Sequence, residues 1–292
     1  MISDTEYAPC KVNLTLDVFA PRPDGFHDLD SVVLKFSPGD QLRIDWEYVP
    51  GEQGIVLTCD DPNLPTDRRN LAYRAAEDFM TAYGVPGTVR IDLKKRLPYQ
   101  AGLGSASSDA AAVLRSLADV LSNDPQKLRR VAAGIGSDVP LFLESRLVRM
   151  RGRGEQVEPL HLSLPQFHGV LVKPRVGVPT PAAYKLLDVI PDRHPGEATQ
   201  NLLSVLQSTP DDLYAVASAF GNDFEAAVLP AFPEVADCHR AVTDAGAMRA
   251  LLCGSGSAVF GLATSAEHAG TMSRILRETD RYAWVEVAES LP

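Results

Sequence analysis

Cysteine, positive charge and long apolar runs are all in short supply in this chain. The four cysteines, Cys10, Cys59, Cys238 and Cys253, show neither metal-ligand nor paired spacing, so they are expected to be reduced thiols. No apolar run approaches the roughly 20 residues of a membrane span. The opening MISDTEYAP lacks the basic and apolar regions of a secretion signal, so a cytoplasmic location is expected. Lys and Arg number 28 against 38 Asp and Glu, a net charge of −10, which argues against general attraction to nucleic acid or anionic membrane. A phosphorylated ligand would therefore need a locally basic pocket. There is no internal repeat and no low-complexity tract. What is present is 45% hydrophobic content in 292 residues, enough for one large or two ordinary domains.

The stretch LPYQAGLGSASSDAAAVLRSL, residues 97–117, has little side-chain bulk and runs into an alanine-rich helix. Gly102 and Gly104 can take positive φ, small side chains let a ligand approach the backbone, and N–H groups at a helix start attract an anion. No Gly-Lys-Ser/Thr follows and a third glycine is missing, so neither the Walker nor the dinucleotide pattern applies. A serine-capped helix after a flexible turn is the plain alternative.

Alternation over 11–19 puts Val12, Leu14, Leu16 and Val18 on one strand face and Lys11, Asn13, Thr15 and Asp17 on the other. A strand lysine is usually a solvated edge residue. Further alternation at Leu42–Trp46, Ile55–Leu57 and Val89–Leu93 makes the first third mostly β. A helix is expected from Asn70, as cap, to Tyr83, stopped by Gly84 and Pro86. The next is expected to start near Ser107 or Ser108, and a third around GSDVPLFLES, where Ser137 or Asp138 precedes Pro140 and Asp138 could be only a cap. RMRGRGEQVEPL reads as a hairpin or crossing, followed by the strand GVLVKP and a helix with Thr180 as cap and Pro181 as first residue. Residues 199–229 and 233–246 are expected to be helical. Strands MRALLC and AVFGLA then flank a GSGS turn before a helix over 265–279 and a strand over 282–288.

Three motifs carry a resemblance. LPYQAGLGSASSDAAA resembles the phosphate loop of the GHMP kinase superfamily, APCKVNLTL its N-terminal motif, and LLCGSGSAVFGL its C-terminal glycine-rich motif, in the family's order. Lys11-Val12-Asn13, RPDGFHDLDS at 22–31, Arg69-Asn70-Leu71, GSDVPLFL at 136–143 and GVPTPAAY at 177–184 resemble the branch acting on a cytidine diphosphate methylerythritol. In the loop the family typically carries a glycine run where this chain has Gly104-Ser105-Ala106-Ser107-Ser108, and Gln100 stands where glycine is common. The added β-carbons at 105 and 106 restrict backbone approach and disfavour positive φ.

The resemblance implies an α+β, two-domain GHMP kinase fold: an N-terminal mixed-sheet domain over 1–158 with the phosphate-loop helix, its loop spanning 97–109, and a C-terminal α/β sandwich domain over 159–292 on the substrate side. The implied reaction is ATP-dependent phosphorylation of the substrate's 2-hydroxyl, in isoprenoid precursor synthesis, with Mg²⁺ bridging the phosphates. Asp138 would accept or orient the hydroxyl proton, and Lys11 would hold Asp138 ionised and stabilise charge on the oxygen being phosphorylated. Asn13, Phe26, His27, Thr180, Tyr184, Gly254, Ser255 and Gly256 would bind substrate, with the base stacked between aromatic rings and His27 at its edge. Asn70, Leu71, Lys95, Pro98 and the loop residues Ala101, Gly102, Leu103, Gly104, Ser105, Ala106, Ser107 and Ser108 would bind ATP. Ser107, Ser108 and Asp109 stay open as magnesium ligands. The implied partner is a small molecule, without nucleic acid or membrane, for a monomer or homodimer. Two rivals stand beside this reading: a superfamily kinase of homoserine or mevalonate, which should lack DGFH and the paired aromatics, and a non-catalytic nucleotide-binding relative, against which Lys11 and Asp138 weigh.

Overall fold

A computed structural model describes residues 2–121, 124–162, 164–191, 193 and 195–292. In chain order the elements are β1 (Ile2–Asn13), β2 (Thr15–Pro21), β3 (His27–Glu47), β4 (Gln53–Cys59), α1 (Leu71–Tyr83), β5 (Gly87–Lys94), α2 (Ser105–Leu121) and α3 (Pro125–Ile135). A 3₁₀ turn (Pro140–Leu143), β6 (Leu147–Gly152), β7 (Gln156–Pro159), β8 (His168–Pro174), α4 (Thr180–Leu187), α5 (Glu197–Ser208), α6 (Leu213–Ser218) and β9 (Gly221–Asn222) follow. The chain ends with α7 (Phe224–Ala231), α8 (Pro233–Asp244), β10 (Arg249–Leu252), β11 (Val259–Ala263), α9 (Ala266–Arg277) and β12 (Tyr282–Glu289). No described helix is long and apolar enough to cross a membrane, and no disulfide forms among the described residues.

The chain forms two compact units, each built from separate stretches of sequence. The first comprises Met1–Cys10, Gly39–Tyr99 and Gly104–Ser145. Here the end of β3 pairs antiparallel with β5, and β4 lies parallel to β5. Val89, Ile91 and Leu93 alternate inward along β5 as period-two strands require. Helix α1 packs on α2, α3 and the β4–β5 pair, burying Ala75, Phe79 and Met80. Its ends follow the sequence: the Asn70 side chain accepts from Ala72 N, and Gly84 closes the helix at φ 65°.

The second unit comprises Lys11–Pro38, Gln100–Leu103 and Arg146–Pro292. Within it β3 pairs with β2 and β6, β6 turns into β7 as a hairpin, and β2 runs parallel to the short β9. A separate antiparallel sheet has the order β10-β11-β8-β12. Helices α8 and α9 cover it, so that Cys238, Val242, Met272 and Leu276 join Val170, Val172 and Val259 in one core.

Several expectations need correction. The second helix begins at Ser105, two or three residues earlier than expected. The helix expected from GSDVPLFLES is only the 3₁₀ turn, because Gly136 is extended and the turn ends at Glu144. The missed helix α3 starts at an Asp-Pro signal: Asp124 Oδ1 accepts from Lys127 N and Pro125 occupies the first turn. Residues 199–229 are not continuously helical, since Asp212 recaps the chain and Gly221-Asn222 pairs with β2. Thr180 is the first residue of α4 rather than its cap, which falls on Pro179. The strand expected over 11–19 is interrupted at Leu14, into the end of β1 and the start of β2, and its polar face is not solvated: Lys11 is 5% and Asn13 4% exposed, and Thr15 and Asp17 are buried too.

Gly261 in β11 tests this packing. A β-carbon there would lie 2.5 Å from Val242 Cγ1 and 3.2 Å from Val170 Cγ1, in backbone that any residue can adopt. Gly261→Ala should destabilise the chain by about 1–3 kcal/mol through overpacking, read as a lower urea midpoint with an unchanged slope.

Candidate active site

In the first unit the site is built on the start of α2. Gly104 turns the chain at φ 74°, and Ser108 N donates to Gly104 O at 2.9 Å. The first-turn N–H groups have no acceptor within the helix and meet the positive end of its dipole. Ser105 and Ala106 lie in the helix and need no positive φ, so their β-carbons do not distort the loop. The Ser105 hydroxyl is used instead: it receives a hydrogen bond from Lys95 Nζ at 2.5 Å and donates to Asp40 Oδ2 at 3.0 Å.

Lys95 is not an exposed strand-end residue. Its buried ammonium lies 2.5 Å from Asp40 Oδ2 and 2.7 Å from Asp109 Oδ2. Burial pushes the Asp109 carboxyl up to about 7, with Lys95 pulling it down and Asp40 pushing it up. The other carboxylate anchors the loop's entry, accepting from Arg96 N at 2.6 Å and Leu97 N at 2.8 Å through Asp40 Oδ1. Thus Lys95 turns its charge inward, toward the support of α2. Pro98 is half-buried just beyond, at the end of this stretch.

Asn70 and Leu71 open α1, with Asn70 Nδ2 bonded to Pro65 O at 2.9 Å. The segment carrying half-buried Asp138 lies beside them: a β-carbon on Gly136 would be 3.9 Å from Leu71 Cδ1 and 4.0 Å from Ser107 Oγ. Arg115 of α2 fastens the following turn, donating to Phe142 O at 2.9 Å while pairing with Glu6 at 2.6 Å.

In the second unit Ala101, Gly102 and Leu103 thread between Lys11 and the glycine-serine turn. Lys11 N donates to Leu103 O at 3.0 Å and Ala258 N to Ala101 O at 3.1 Å. Gly102, at φ 77°, is obligatory because any β-carbon would overlap the Cys253 carbonyl. Gln100 adopts φ 52° without being glycine, its side chain lying over Gly177. Lys11 Nζ donates to Asn13 Oδ1 at 2.6 Å, Asn13 Nδ2 to Ser31 Oγ at 2.8 Å, and Ser31 Oγ to Thr15 O at 2.5 Å. A β-carbon on Gly254 would lie 3.5 Å from Lys11 Nζ.

The aromatic part of the same unit differs from expectation in its pairing. The ring stacked on Tyr184 is His27, with centroids 4.7 Å apart and planes tilted by 30°. His27 Nε2 meets Asp188 Oδ1 at 2.7 Å, and Tyr184 packs edge-on against Phe224 at 4.9 Å. Phe26 is 53% exposed and carries the Arg153 guanidinium 4.9 Å from its ring centroid. Thr180 Oγ1 meets Ser255 Oγ at 2.9 Å, tying α4 to the glycine-serine turn, whose Gly254 and Gly256 both have positive φ.

Sequence reasoning missed Asp40, Asp188, Asn222 and Arg115, and named Asp109 only as one of three candidate magnesium ligands, without its pairing to Lys95. Asp188 was within reach of it, being one helical turn beyond Tyr184. Asn222 Nδ2 bonds Leu252 O and Gly254 O, both at 2.8 Å, and nothing local in its sequence announces that role. Removing Asp40 tests the support of α2. Asp40→Ala leaves Lys95 with Asp109 and Ser105 alone and strands two backbone donors, Arg96 N and Leu97 N, so a loss of about 2–4 kcal/mol is expected, read by urea unfolding, with Asp40→Asn losing less.

The chain is similar to known proteins in sequence and fold. Residues 70–146 match the GHMP kinases N terminal domain and residues 204–281 the GHMP kinases C terminal domain. The chain is 38% identical to a 4-diphosphocytidyl-2-C-methyl-D-erythritol kinase of Pelotomaculum thermopropionicum over 94% of each chain. It is also 38% identical to one of Moorella thermoacetica, over 92% of this chain and 93% of that one. A crystal structure of 4-(cytidine 5'-diphospho)-2C-methyl-D-erythritol kinase superposes with a TM-score of 0.81 at 35% identity, covering 99% of this chain and 100% of the other. Homoserine kinase from Cytophaga hutchinsonii, at 19% identity and a TM-score of 0.72, shares the fold over 99% of this chain and 94% of its own. With both domains matched and close relatives spanning nearly its whole length, the chain belongs to the 4-diphosphocytidyl-2-C-methyl-D-erythritol kinase family of the GHMP kinases.

Proposed function

We propose that the chain transfers the γ-phosphoryl group of ATP to the 2-hydroxyl of 4-diphosphocytidyl-2-C-methyl-D-erythritol, a step of isoprenoid precursor synthesis. The observation that carries the substrate choice is the aromatic cluster of the buried His27, fixed by Asp188 and tilted 30° against Tyr184, next to the exposed ring of Phe26: ring faces suited to a nucleobase. A kinase of homoserine or mevalonate has no base to place there. The reaction belongs in the cytoplasm, with this small molecule as partner, for a monomer or homodimer.

Phosphoryl transfer demands positioning and charge neutralisation more than covalent chemistry. The Gly102–Ser108 stretch supplies backbone N–H groups and the α2 dipole to the ATP phosphates. Asn70, Leu71 and Pro98 would line the adenine, and Lys95 would act through the loop it anchors. Asp138 takes or orients the proton of the 2-hydroxyl. Lys11, aimed by the Asn13–Ser31–Thr15 chain of hydrogen bonds, neutralises charge on the oxygen that attacks. Thr180 and the Gly254–Gly256 turn would hold the substrate's diphosphate, and Phe26 offers a further face to the base.

Oxygen donors fit a hard cation. Ser108 Oγ and Asp109 Oδ1 are buried atoms without a hydrogen-bond partner, and with Ser107 they are the donors that would hold Mg²⁺. Bound there, the ion would supply charge neutralisation on the ATP phosphates.

A coupled ADP-release assay with Mg-ATP tests the reading. Turnover is expected with 4-diphosphocytidyl-2-C-methyl-D-erythritol and not with homoserine or mevalonate, and Asp138→Ala and Lys11→Ala should each lose about a hundredfold or more in turnover. Near-normal turnover in both variants would remove the assigned roles, and turnover with another alcohol alone would overturn the substrate.

A further inference from the structure

Lys173 closes β8 and is 8% exposed, yet the reaction outlined above makes no use of it. Its ammonium donates to Val176 O at 3.2 Å and Pro174 O at 3.3 Å, and lies 3.5 Å from Ser257 Oγ. Ser257 Oγ in turn donates to Val176 O at 2.7 Å. Among the described residues no carboxylate comes within ion-pair distance of Lys173, in contrast to Lys95, which has two. Carbonyl oxygens satisfy the N–H donors but leave the charge uncancelled. Burial accordingly pushes the Lys173 amine below the usual lysine range.

The location gives that charge a use. Lys173 sits where three segments meet: the end of β8, the 174–179 loop that delivers Thr180 and Tyr184, and the 253–258 turn. Thr180 and Ser255 join the last two of these directly. On the proposed activity, a cytidine diphosphate with its base at His27 and Tyr184 would extend its anionic groups toward the turn that Thr180 and Ser255 join. An interior charge acts on such an anion with little screening.

Resting on the proposed activity, we propose that Lys173 is a positioning residue for the substrate's diphosphate: its buried ammonium holds the 174–179 loop and the Gly254–Ser257 turn together and gives that turn the positive charge the diphosphate requires. It acts through the backbone it holds, so it should govern affinity for the anion and not the rate of transfer.

Calorimetric titration of the full chain with cytidine 5'-diphosphate and with uncharged cytidine tests this. Lys173→Met should weaken cytidine diphosphate by about tenfold or more while changing cytidine by less than about twofold. The KM for the cytidine diphosphate substrate should rise to match, with kcat and the KM for ATP within about twofold. Lys173→Arg should restore most of the lost affinity. If Lys173→Met does not fold, Lys173→Gln removes the charge while keeping donors for Pro174 and Val176 and answers the same question. Equal losses for cytidine and its diphosphate, or no loss for either, would overturn the proposal. Wild-type protein that binds cytidine but gains nothing from the diphosphate would overturn it too, and would leave the proposed activity standing. Wild-type protein that binds neither and shows no turnover would remove the activity itself, and this proposal with it.

Discussion

The start of α2 depends on one ammonium buried between two carboxylates. A bare carboxylate near a helix N-terminus would occupy the positive end of the dipole and repel a phosphate approaching it. Asp40 and Asp109 both stand there, and Lys95, 2.5 and 2.7 Å from them, offsets one of the two charges. Burial pushes the Asp109 carboxyl up to about 7, so the second charge is one that a proton or a bound cation readily neutralises. The helix end therefore keeps its attraction for an anion while its base is held by interior hydrogen bonds. Because Asp40 also grips Arg96 N and Leu97 N, the same interaction sets where the loop leaves the strand.

In the second unit a comparable constraint falls on the polar side chains at the end of β1, which carries Lys11, and the start of β2. Each polar side chain there is buried and must find a partner, and each does. Asn13 bonds Ser31, Thr15 bonds Thr199, and Asp17 accepts from Thr199 N. These bonds leave the Lys11 side chain few rotamers once its ammonium meets Asn13. A strand with both faces buried thus serves as a rigid mount for a charged group, which an exposed edge strand could not do.

Local rules made part of this visible. Asn70 and Gly84 bound α1 as capping chemistry requires, and the hairpin at Arg151–Gln156 follows its glycines. The failures share a cause. Alternation over residues 11–19 marks a strand, but only tertiary packing decides that its polar face is interior. Glycine-poor substitutions at 105 and 106 suggest a strained loop if the helix begins at Ser107, and cease to matter once it begins at Ser105. The resemblance pointed to Lys11, His27, Lys95, Gly102, Tyr184 and Gly254. Their supports, Asp40, Asp188 and Asn222, lie far away in sequence, except that Asp188 follows Tyr184 by one turn. No period or spacing signals a residue whose role is to hold another.

How a chain with a net charge of −10 attracts a phosphorylated ligand is answered by the kind of acceptor its buried lysines meet. Lys95 meets carboxylates, and its field is cancelled within a few ångströms; it holds structure. Lys173 meets carbonyl oxygens, which are dipoles and carry no net charge to oppose it. An anion about 8 Å from such an ammonium gains about 2 kcal/mol at an effective dielectric of about 20, while one facing the Lys95 cluster gains little. A few interior cations can therefore outweigh an acidic surface, whose charges water and salt screen over about 8–10 Å. The composition forbids a broad basic patch, and burying lysines against neutral acceptors makes one unnecessary.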